Sequence, residues 1–446
     1  MVPASAATLL KQSGHEVVWD DAIAQKKTYN QWWDDFSKSP PDLVAIEVKT
    51  PIIKKYWEVV KQIKEAHPET KVVLMGDHVT ALPEESFQFS PVDYVIAGGD
   101  YDFALDGLAA SLEKNTSLPN GIYYREGTTI KTNGPFQLTH DLNSLLFIDR
   151  DLTQWKLYAY DNGNYKRQPG TYTMAGRDCW WGKCTFCSWT TIFPKFRCRS
   201  PQSLLDEIGI LIDKYHVREI FDDTGTFPTG AWLDEFCKGM IERGYNEKIY
   251  FSCNMRFGAC DTERYKLMKK ANFRFILFGL ESANQSTLER LKKGTNIDTC
   301  IKSCKECSDA GLSPHVTIML GYPWESKEEA NKTVELGRFL LKKGYAKTLQ
   351  STIVIPYPGT PLFKECEQND WLTTRNWDDY DMRAPIMKTP FPPADAQEMV
   401  RALYKVAYDP EFVARRLLAV RDLDDAKFIY RAAKSVVGHL MDFRSK

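Results

Sequence analysis

The chain has 446 residues, of which 43% are hydrophobic and 13% aromatic, so it can form about two or three domains with buried cores. Its 58 basic and 59 acidic residues are well mixed and give a net charge of −1, which disfavours nucleic acid as a partner. The longest apolar runs are too short to span a membrane, and no signal peptide is expected at the start. We therefore expect a cytoplasmic protein.

Residues 1–115 alternate between helix and strand. The first helix ends at Gly14, and apolar strands are predicted at residues 16–19, 43–46, 71–75 and 94–96. Apolar strands separated by helices are typical of a parallel, doubly wound sheet. Ligands of such sheets bind at the carboxyl ends of the strands, so the loops that follow these strands are candidate binding loops.

Residues 116–165 are predicted to form a connector, which contains a hairpin around the turn Arg125-Glu126-Gly127. Strands and helices alternate again over residues 166–365. The predicted strands of this region cover residues 172–174, 219–221, 249–252, 275–278, 315–319 and 349–355. Six such units indicate a barrel or partial barrel, whose active site lies where the strands end.

Residues 366–446 are predicted to be helical and amphipathic after Asp395. A solvated cap that packs on the barrel is favoured there over a cap that binds substrate.

The eleven cysteines are irregularly spaced, and an odd number in a large chain argues against a disulfide framework. Reduced thiols fit better, and as thiolates they can hold an iron–sulfur cluster. Cys179, Cys184 and Cys187 follow a predicted strand and enclose Gly182, so they lie on an irregular loop that can wrap around a cluster. Three cysteines leave one iron open for catalysis, while a zinc site with a distant fourth ligand is the alternative.

A second triplet, Cys300, Cys304 and Cys307, competes with the first. It lies in a stretch without helix breakers, where the first and last cysteine would be about 10 Å apart along the helix axis. The spacing i, i+4, i+7 is that of a buried helix face, and free cysteine behaves as a small buried hydrophobe. We therefore assign this helical triplet to the core.

The segment from Met174 to Cys187 resembles the cysteine signature of radical S-adenosylmethionine (SAM) enzymes, with one residue more than usual between the first two cysteines. Further segments resemble the same family in order, at residues 221–227, 253–256, 278–282, 319–325 and 355–361. The resemblance implies a partial (β/α)6 barrel with a 4Fe–4S cluster on Cys179, Cys184 and Cys187. It also implies SAM contacts from Phe186, Glu281 and Arg256, although a structural salt bridge is an equal alternative for Arg256.

The N-terminal region resembles the cobalamin-binding domain that precedes this barrel in one branch of the family. The likeness is carried by residues 48–51, 76–85 and 95–99. It implies cobalamin contacts from a set of loop residues, namely Thr50, Gly76, His78, Thr80, Gly98 and Gly99. His78 is not expected to bind cobalt, because the pattern Asp-x-His-x-x-Gly of axial histidines is absent.

Together the resemblances imply a cobalamin-dependent radical SAM methyltransferase, in which a 5′-deoxyadenosyl radical activates an unreactive carbon of a small-molecule or lipid substrate. They also imply an electron donor such as flavodoxin or ferredoxin. Two alternatives stay open: a cobalamin-associated cyclase or rearrangement enzyme without methyl transfer, and a non-catalytic iron–sulfur or zinc scaffold. The strand-end segments argue against the scaffold, which would need no glutamate such as Glu281 there.

Overall fold

A computed structural model describes residues 1–160 and 162–442 of the chain. The N-terminal region contains a five-stranded sheet in the order β1-β2-β3-β4-β5, with three parallel strands followed by an antiparallel hairpin. Its strands are β1 Leu43–Glu47, β2 Lys71–Met75, β3 Tyr94–Ile96, β4 Ile122–Glu126 and β5 Thr129–Thr132. Its helices are α1 Val2–Gln12, α2 Tyr29–Lys38, α3 Ile53–Ala66, α4 Asp77–Ala81, α5 Glu85–Phe89 and α6 Tyr101–Lys114.

Both faces of this sheet are covered by helices, as the sequence predicts. Side chains alternate between the two faces of a strand. Val72 and Leu74 therefore enter the core that contains α3, whereas Val73 and Met75 enter the core formed with α1 and α6. The predicted hairpin also forms, and its strand β4 pairs with β3, so it extends the N-terminal sheet.

The prediction of a strand at residues 16–19 is wrong. This segment has no regular secondary structure, and Val18 is 80% exposed. Strand β1, which is nearest along the chain, pairs with β2 on one side and forms the edge of the sheet on the other. An apolar run becomes a strand only where a neighbour supplies backbone hydrogen-bond partners, and none of the described strands does so here.

The second region is a six-stranded, fully parallel sheet in the order β13-β12-β11-β10-β9-β6. In chain order its strands and those of a short antiparallel ribbon are β6 Gly170–Thr173, β7 Gly176–Arg177, β8 Arg197–Cys198, β9 Glu219–Asp222, β10 Tyr250–Met255, β11 Phe273–Glu281, β12 Ser313–Leu320 and β13 Thr348–Ile353. Each predicted barrel strand is present. Strands β6 and β13 lie at opposite edges of the sheet, which confirms the prediction of a partial barrel.

Helices join these strands and bury the outer face of the sheet. They are α7 Lys156–Ala159, α8 Trp189–Ile192, α9 Pro201–Asp213, α10 Ala231–Glu242, α11 Thr262–Lys270, α12 Gln285–Arg290, α13 Ile297–Asp309, α14 Lys327–Lys342 and α15 Pro361–Gln368. Helix α9 begins where Ser200 accepts a hydrogen bond from the Ser203 N–H. The parallel strands run towards one common edge, where their carboxyl ends position the residues described below.

The C-terminal region is helical, as predicted, with α16 Pro393–Tyr404, α17 Pro410–Leu418 and α18 Leu423–Asp442. Helix α16 packs on the barrel through Met399 and Val400, and Lys327 of α14 pairs with Asp395 at 2.7 Å. The predicted region ends at residue 446, and residues 443–446 lie outside the described part. None of the described helices combines the length and the apolar character that a membrane span requires. The predicted domain boundaries stay predictions.

Candidate active site

The three cysteines of the first triplet lie on an irregular segment, residues 178–188, which we call the cysteine loop. The end of β9 anchors the start of this loop. Asp222 accepts hydrogen bonds from the Thr173 hydroxyl at 2.8 Å and the Ala175 N–H at 2.9 Å, and Thr224 accepts one from the Gly176 N–H. The buried polar residues after β9 therefore fix the position at which the cysteine loop begins.

The three cysteines of the loop are partly exposed, and their thiols lie close enough together to interact electrostatically. Cys179 Sγ lies 3.0 Å from the Thr226 hydroxyl. Burial raises the pKa of Cys187 to about 12 and also raises the pKa of Cys184, although Lys293 and Arg256 oppose the second shift. Iron can displace these protons, because metal binding is coupled to deprotonation of the thiol.

The described residues bring together no group of three His, Cys, Asp or Glu side chains close enough for a single metal ion. The zinc alternative needs four ligands around one ion, so this arrangement does not favour it. In a 4Fe–4S cluster each thiolate binds a different iron, and the ligands lie farther apart. A partly exposed loop that carries three thiols beside two cations fits such an anionic cluster better than a zinc ion.

Glu281 stands at the carboxyl end of β11 and is 6% exposed. Its carboxylate accepts a hydrogen bond from the Lys293 ammonium at 2.6 Å. Burial alone would lower the pKa of Lys293, but Glu281 and Cys184 more than offset it, so the pKa is raised and the ammonium stays charged. Lys293 thus links the predicted SAM contact Glu281 to the cysteine loop.

Phe186 and Arg256 complete the predicted SAM contacts, and both lie beside Lys293. The Lys293 ammonium is 5.7 Å from the centre of the Phe186 ring, and Arg256 donates a hydrogen bond to the Lys293 carbonyl. The Arg256 guanidinium lies 4.2 Å from the centre of the Trp181 ring. No carboxylate of the described residues pairs with Arg256, so the structural salt bridge considered for it does not form there. Sequence reasoning missed Lys293 as the residue that joins this set.

A buried ion cluster ties the cysteine loop to the N-terminal sheet. Arg177 directly precedes the loop and makes two hydrogen bonds to Asp102, at 2.9 and 2.5 Å, and one to Asp100 at 3.0 Å. Arg197 of β8 also pairs with Asp100 at 2.6 Å. Both aspartates follow β3, so this contact joins the end of β3 to the ribbon of β7 and β8, which flanks the cysteine loop. The sequence contained no signal for it, because the partners are far apart in the chain.

The residues predicted to contact cobalamin meet at the carboxyl ends of β1, β2 and β3. The Thr80 hydroxyl donates to the Gly76 carbonyl at 2.6 Å and accepts from the Gly98 N–H at 2.9 Å. The Gly99 N–H donates to the Ile192 carbonyl of α8 at 3.0 Å. The structure therefore brings these glycines together and places one of them against the helix that follows Cys187.

Aromatic rings cover two of these glycines. A Cβ atom at Gly98 would lie 2.5 Å from the Phe136 ring, and one at Gly99 would lie 2.0 Å from the Phe193 ring. A neighbouring cavity has about 40 Å³, whereas ligand pockets commonly have about 300–1,000 Å³. The small residues and hydroxyls suit the edge of a corrinoid, but a bound corrinoid requires these rings to move or must lie beyond them.

His78 is buried under this edge with Thr50. One ring nitrogen, Nδ1, lies 3.3 Å from the Thr50 hydroxyl, and Nε2 lies 2.8 Å from the Glu85 carboxylate. Trp377 donates to the same carboxylate at 3.0 Å. Both ring nitrogens therefore have partners, and the expectation that His78 does not bind cobalt stays a prediction.

The helical triplet lies on α13, and each of its thiols is fully buried in the core of the barrel. Burial raises the pKa of all three thiols. The triplet packs in the hydrophobic core as the helix geometry predicts.

A family model of the radical SAM superfamily matches residues 175–337, from the start of the cysteine loop into α14. This chain contains a radical SAM domain. Its radical SAM domain contains the cysteine loop and both residues of the Glu281–Lys293 pair.

Two relatives and a solved structure extend this likeness beyond the domain. The protein named uncharacterized methyltransferase PH0819 of Pyrococcus horikoshii is 27% identical over 424 residues, which cover 94% of this chain and 89% of that protein. The anaerobic magnesium-protoporphyrin IX monomethyl ester cyclase of Cereibacter sphaeroides is 26% identical over 392 residues, covering 85% of this chain and 62% of the cyclase.

The solved structure is that of TsrM from Kitasatospora setae, a radical SAM methyltransferase with cobalamin and a [4Fe-4S] cluster bound. The two chains are 16% identical and superpose with a TM-score of 0.68 over 90% of this chain and 81% of TsrM. The likeness extends across both the N-terminal sheet and the barrel, and it establishes a shared fold.

Proposed function

We propose that this radical SAM enzyme is a cobalamin-dependent methyltransferase that acts on an unreactive carbon. The observation that carries the proposal is the contact between the segment that follows β3 and the segments that flank the cysteine loop. Arg177 joins the cysteine loop to Asp100 and Asp102, and Gly99 bonds to the helix that follows Cys187. Methyl transfer from cobalamin to an activated carbon needs the two cofactor sites next to each other, and this contact supports the proposal that they are.

In this proposal Cys179, Cys184 and Cys187 bind three irons of a 4Fe–4S cluster. When bound, the cofactors supply an electron that cleaves SAM and a methyl group carried by cobalamin. Glu281 accepts hydrogen bonds from bound SAM, and the hydrogen bond from the Lys293 ammonium holds that carboxylate in place. Both act in a buried position where electrostatic interactions are stronger than in water.

Two further residues of the proposed SAM site have distinct roles. Phe186 packs beside the adenine of SAM. Arg256 is held against Trp181 with its guanidinium close to Cys184, so it can pair with the SAM carboxylate bidentately.

The cobalamin contacts are proposed at Thr50, Gly76, His78, Thr80, Gly98 and Gly99. Gly76 supports this role, because its φ of +117° and the closeness of the Val48 carbonyl leave no room for a side chain. The backbone of the loop after β2 is therefore held close to that of β1, where a flat cofactor can approach it.

We also propose a small-molecule or lipid substrate and a one-electron donor protein such as flavodoxin or ferredoxin. A reducing, cytoplasmic setting fits the cysteines, since all eleven are free thiols.

A second candidate, favoured by the likeness to the cyclase of Cereibacter sphaeroides, is a cobalamin-associated cyclase without methyl transfer. The two candidates differ in the fate of the methyl group. A methyltransferase of this kind would use a second SAM as its methyl source and release S-adenosylhomocysteine, whereas the cyclase would not.

The test begins with protein purified without oxygen and reconstituted with iron, sulfide and cobalamin. It is incubated with SAM and dithionite, and both nucleoside products are quantified by mass spectrometry, with Cys187→Ala as the matched control. We expect 5′-deoxyadenosine, and S-adenosylhomocysteine only when cobalamin is present. Absence of 5′-deoxyadenosine would overturn radical chemistry, and 5′-deoxyadenosine without S-adenosylhomocysteine would select the second candidate.

A further inference from the structure

A groove of about 510 Å³ opens at the protein surface beside the cysteine loop. Trp181 and the buried side chain of Leu288 line it, and the ammonium groups of Lys183 and Lys292 stand at its rim with one acidic side chain, Glu289. We call this the tryptophan groove. It belongs neither to the predicted SAM contacts nor to the loops of the N-terminal sheet.

Three contacts hold the indole of Trp181 in place. Its N–H donates to the Lys292 carbonyl at 2.8 Å, and the Lys183 ammonium lies 4.9 Å from the ring centre. Gly294 lies so close that a Cβ atom there would be 2.1 Å from the ring. Such fixing of an aromatic ring at the surface is a property of binding sites, where aromatic side chains lose little entropy on contact.

A single side chain separates this groove from a predicted cluster ligand. The guanidinium of Arg256 lies 4.2 Å from the Trp181 ring centre and donates a hydrogen bond to the carbonyl of Lys293, whose ammonium lies 5.7 Å from the ring centre of Phe186 in the cysteine loop. Lys183 at the rim directly precedes Cys184 in the chain. The tryptophan groove is thus lined by residues of the cysteine loop itself, one of which is the chain neighbour of a proposed cluster ligand.

We infer that the tryptophan groove is the docking surface for an acidic one-electron carrier protein that reduces the cluster. The inference rests on the proposed function, because it assumes that the cysteine loop holds a redox cluster. Electron transfer slows steeply with distance, so the carrier must approach a cluster ligand from the surface. Two lysines around an aromatic floor complement an acidic partner, and such charges guide association.

The step is balanced without bond changes. The carrier loses one electron and the cluster gains it, while no bond forms or breaks and no proton moves. The exposed ring of Trp180, 37% accessible and 5.6 Å from Arg256, enlarges the apolar surface that the carrier covers.

The test compares two charge reversals in the full-length reconstituted enzyme. Lys183→Glu/Lys292→Glu alters the rim of the groove. Lys38→Glu/Lys61→Glu changes the net charge equally at exposed lysines of α2 and α3 in the N-terminal region. Binding of a purified flavodoxin is measured by biolayer interferometry at low and high salt, and carbodiimide cross-links are mapped by mass spectrometry.

We expect the groove variant to bind flavodoxin at least tenfold more weakly and to lose cross-links, with a smaller salt dependence, while the control variant binds like the wild type. Iron content and dithionite-driven SAM cleavage stay within twofold in both variants, and flavodoxin-driven cleavage falls only in the groove variant. Equal weakening in both variants, or no binding to the wild type, would overturn the inference. Loss of dithionite-driven cleavage in the wild type would instead overturn the proposed function.

Discussion

The two cysteine triplets of this chain have similar spacing and opposite environments. Cys179, Cys184 and Cys187 lie partly exposed on a loop beside two cations, whereas the thiols of the helical triplet on α13 are fully buried among apolar side chains. The spacing of cysteines alone therefore does not identify a metal site. What distinguishes them is whether the backbone lets the thiols converge and whether nearby charge can balance an anionic cluster.

Removal of a loop cysteine should have the largest effect. We expect Cys187→Ala to bind substantially less iron and to form no detectable 5′-deoxyadenosine, because one cluster iron loses its ligand. The matched variant Cys304→Ala should keep both iron and activity and lose only about 1 kcal/mol of unfolding free energy, since it leaves a small cavity. Iron analysis, product quantification and urea unfolding test the pair. Iron loss in Cys304→Ala would reverse the assignment of the two triplets.

Loss of the Lys293 ammonium beside the cysteine loop should have the second-largest effect. Lys293→Met leaves the Glu281 carboxylate buried without its partner, and breaking such a pair costs about 3–5 kcal/mol. We expect SAM to bind at least tenfold more weakly in equilibrium dialysis.

The exposed neighbour Lys292 provides the control, and Lys292→Met should retain SAM binding. Lys293→Met/Glu281→Gln should recover stability without recovering SAM binding, because it removes the unpaired charge but not the need for the carboxylate. Recovery of both would mean that this pair is only structural.

The buried ion cluster should show a smaller effect on chemistry. Asp102→Asn removes the charge that pairs with Arg177 directly before the loop, and we expect a loss of about 3 kcal/mol in unfolding free energy. SAM cleavage should fall, since the loop loses its anchor on the N-terminal sheet. Asp106→Asn on the same helix affects an exposed hydrogen bond with Ser13 and should change stability by less than about 0.5 kcal/mol. Equal denaturation curves for the two variants would contradict the proposal that Asp102 anchors the cysteine loop.

Alkylation of the cluster-free protein should show the smallest difference between the two cysteine triplets. Iodoacetamide reacts with thiolates, so the partly exposed loop thiols should be labelled before those of the helical triplet. Burial raises the pKa of Cys187 to about 12, and we expect it to react more slowly than Cys179. All rates should rise with pH as the thiolate fraction grows. Peptide mapping by mass spectrometry tests the order, and early labelling of Cys304 would show that α13 opens readily.

The amino-acid sequence by itself determined most of the elements, and it favoured the loop triplet over the helical one as the cluster ligands. Apolar periodicity predicts the six barrel strands and the helical character of residues 297–309, because it depends on neighbours a few positions away. The position of Glu281 at a strand end is implied by the family resemblance of residues 278–282, since the strand predicted from periodicity ends at residue 278. These properties need no knowledge of which distant segment lies alongside.

Only the tertiary structure decided which side chains contact each other. Arg177 meets Asp102 because the β7–β8 ribbon packs against the start of α6, and Lys293 meets Glu281 because the chain returns past the end of β11 after α12. The segment at residues 16–19 is as apolar as a strand, yet it does not form one, because no described strand pairs with it. The rings over Gly98 and Gly99 likewise come from distant parts of the chain. Side-chain partners depend on the path of the whole chain, whereas local periodicity sets only the elements.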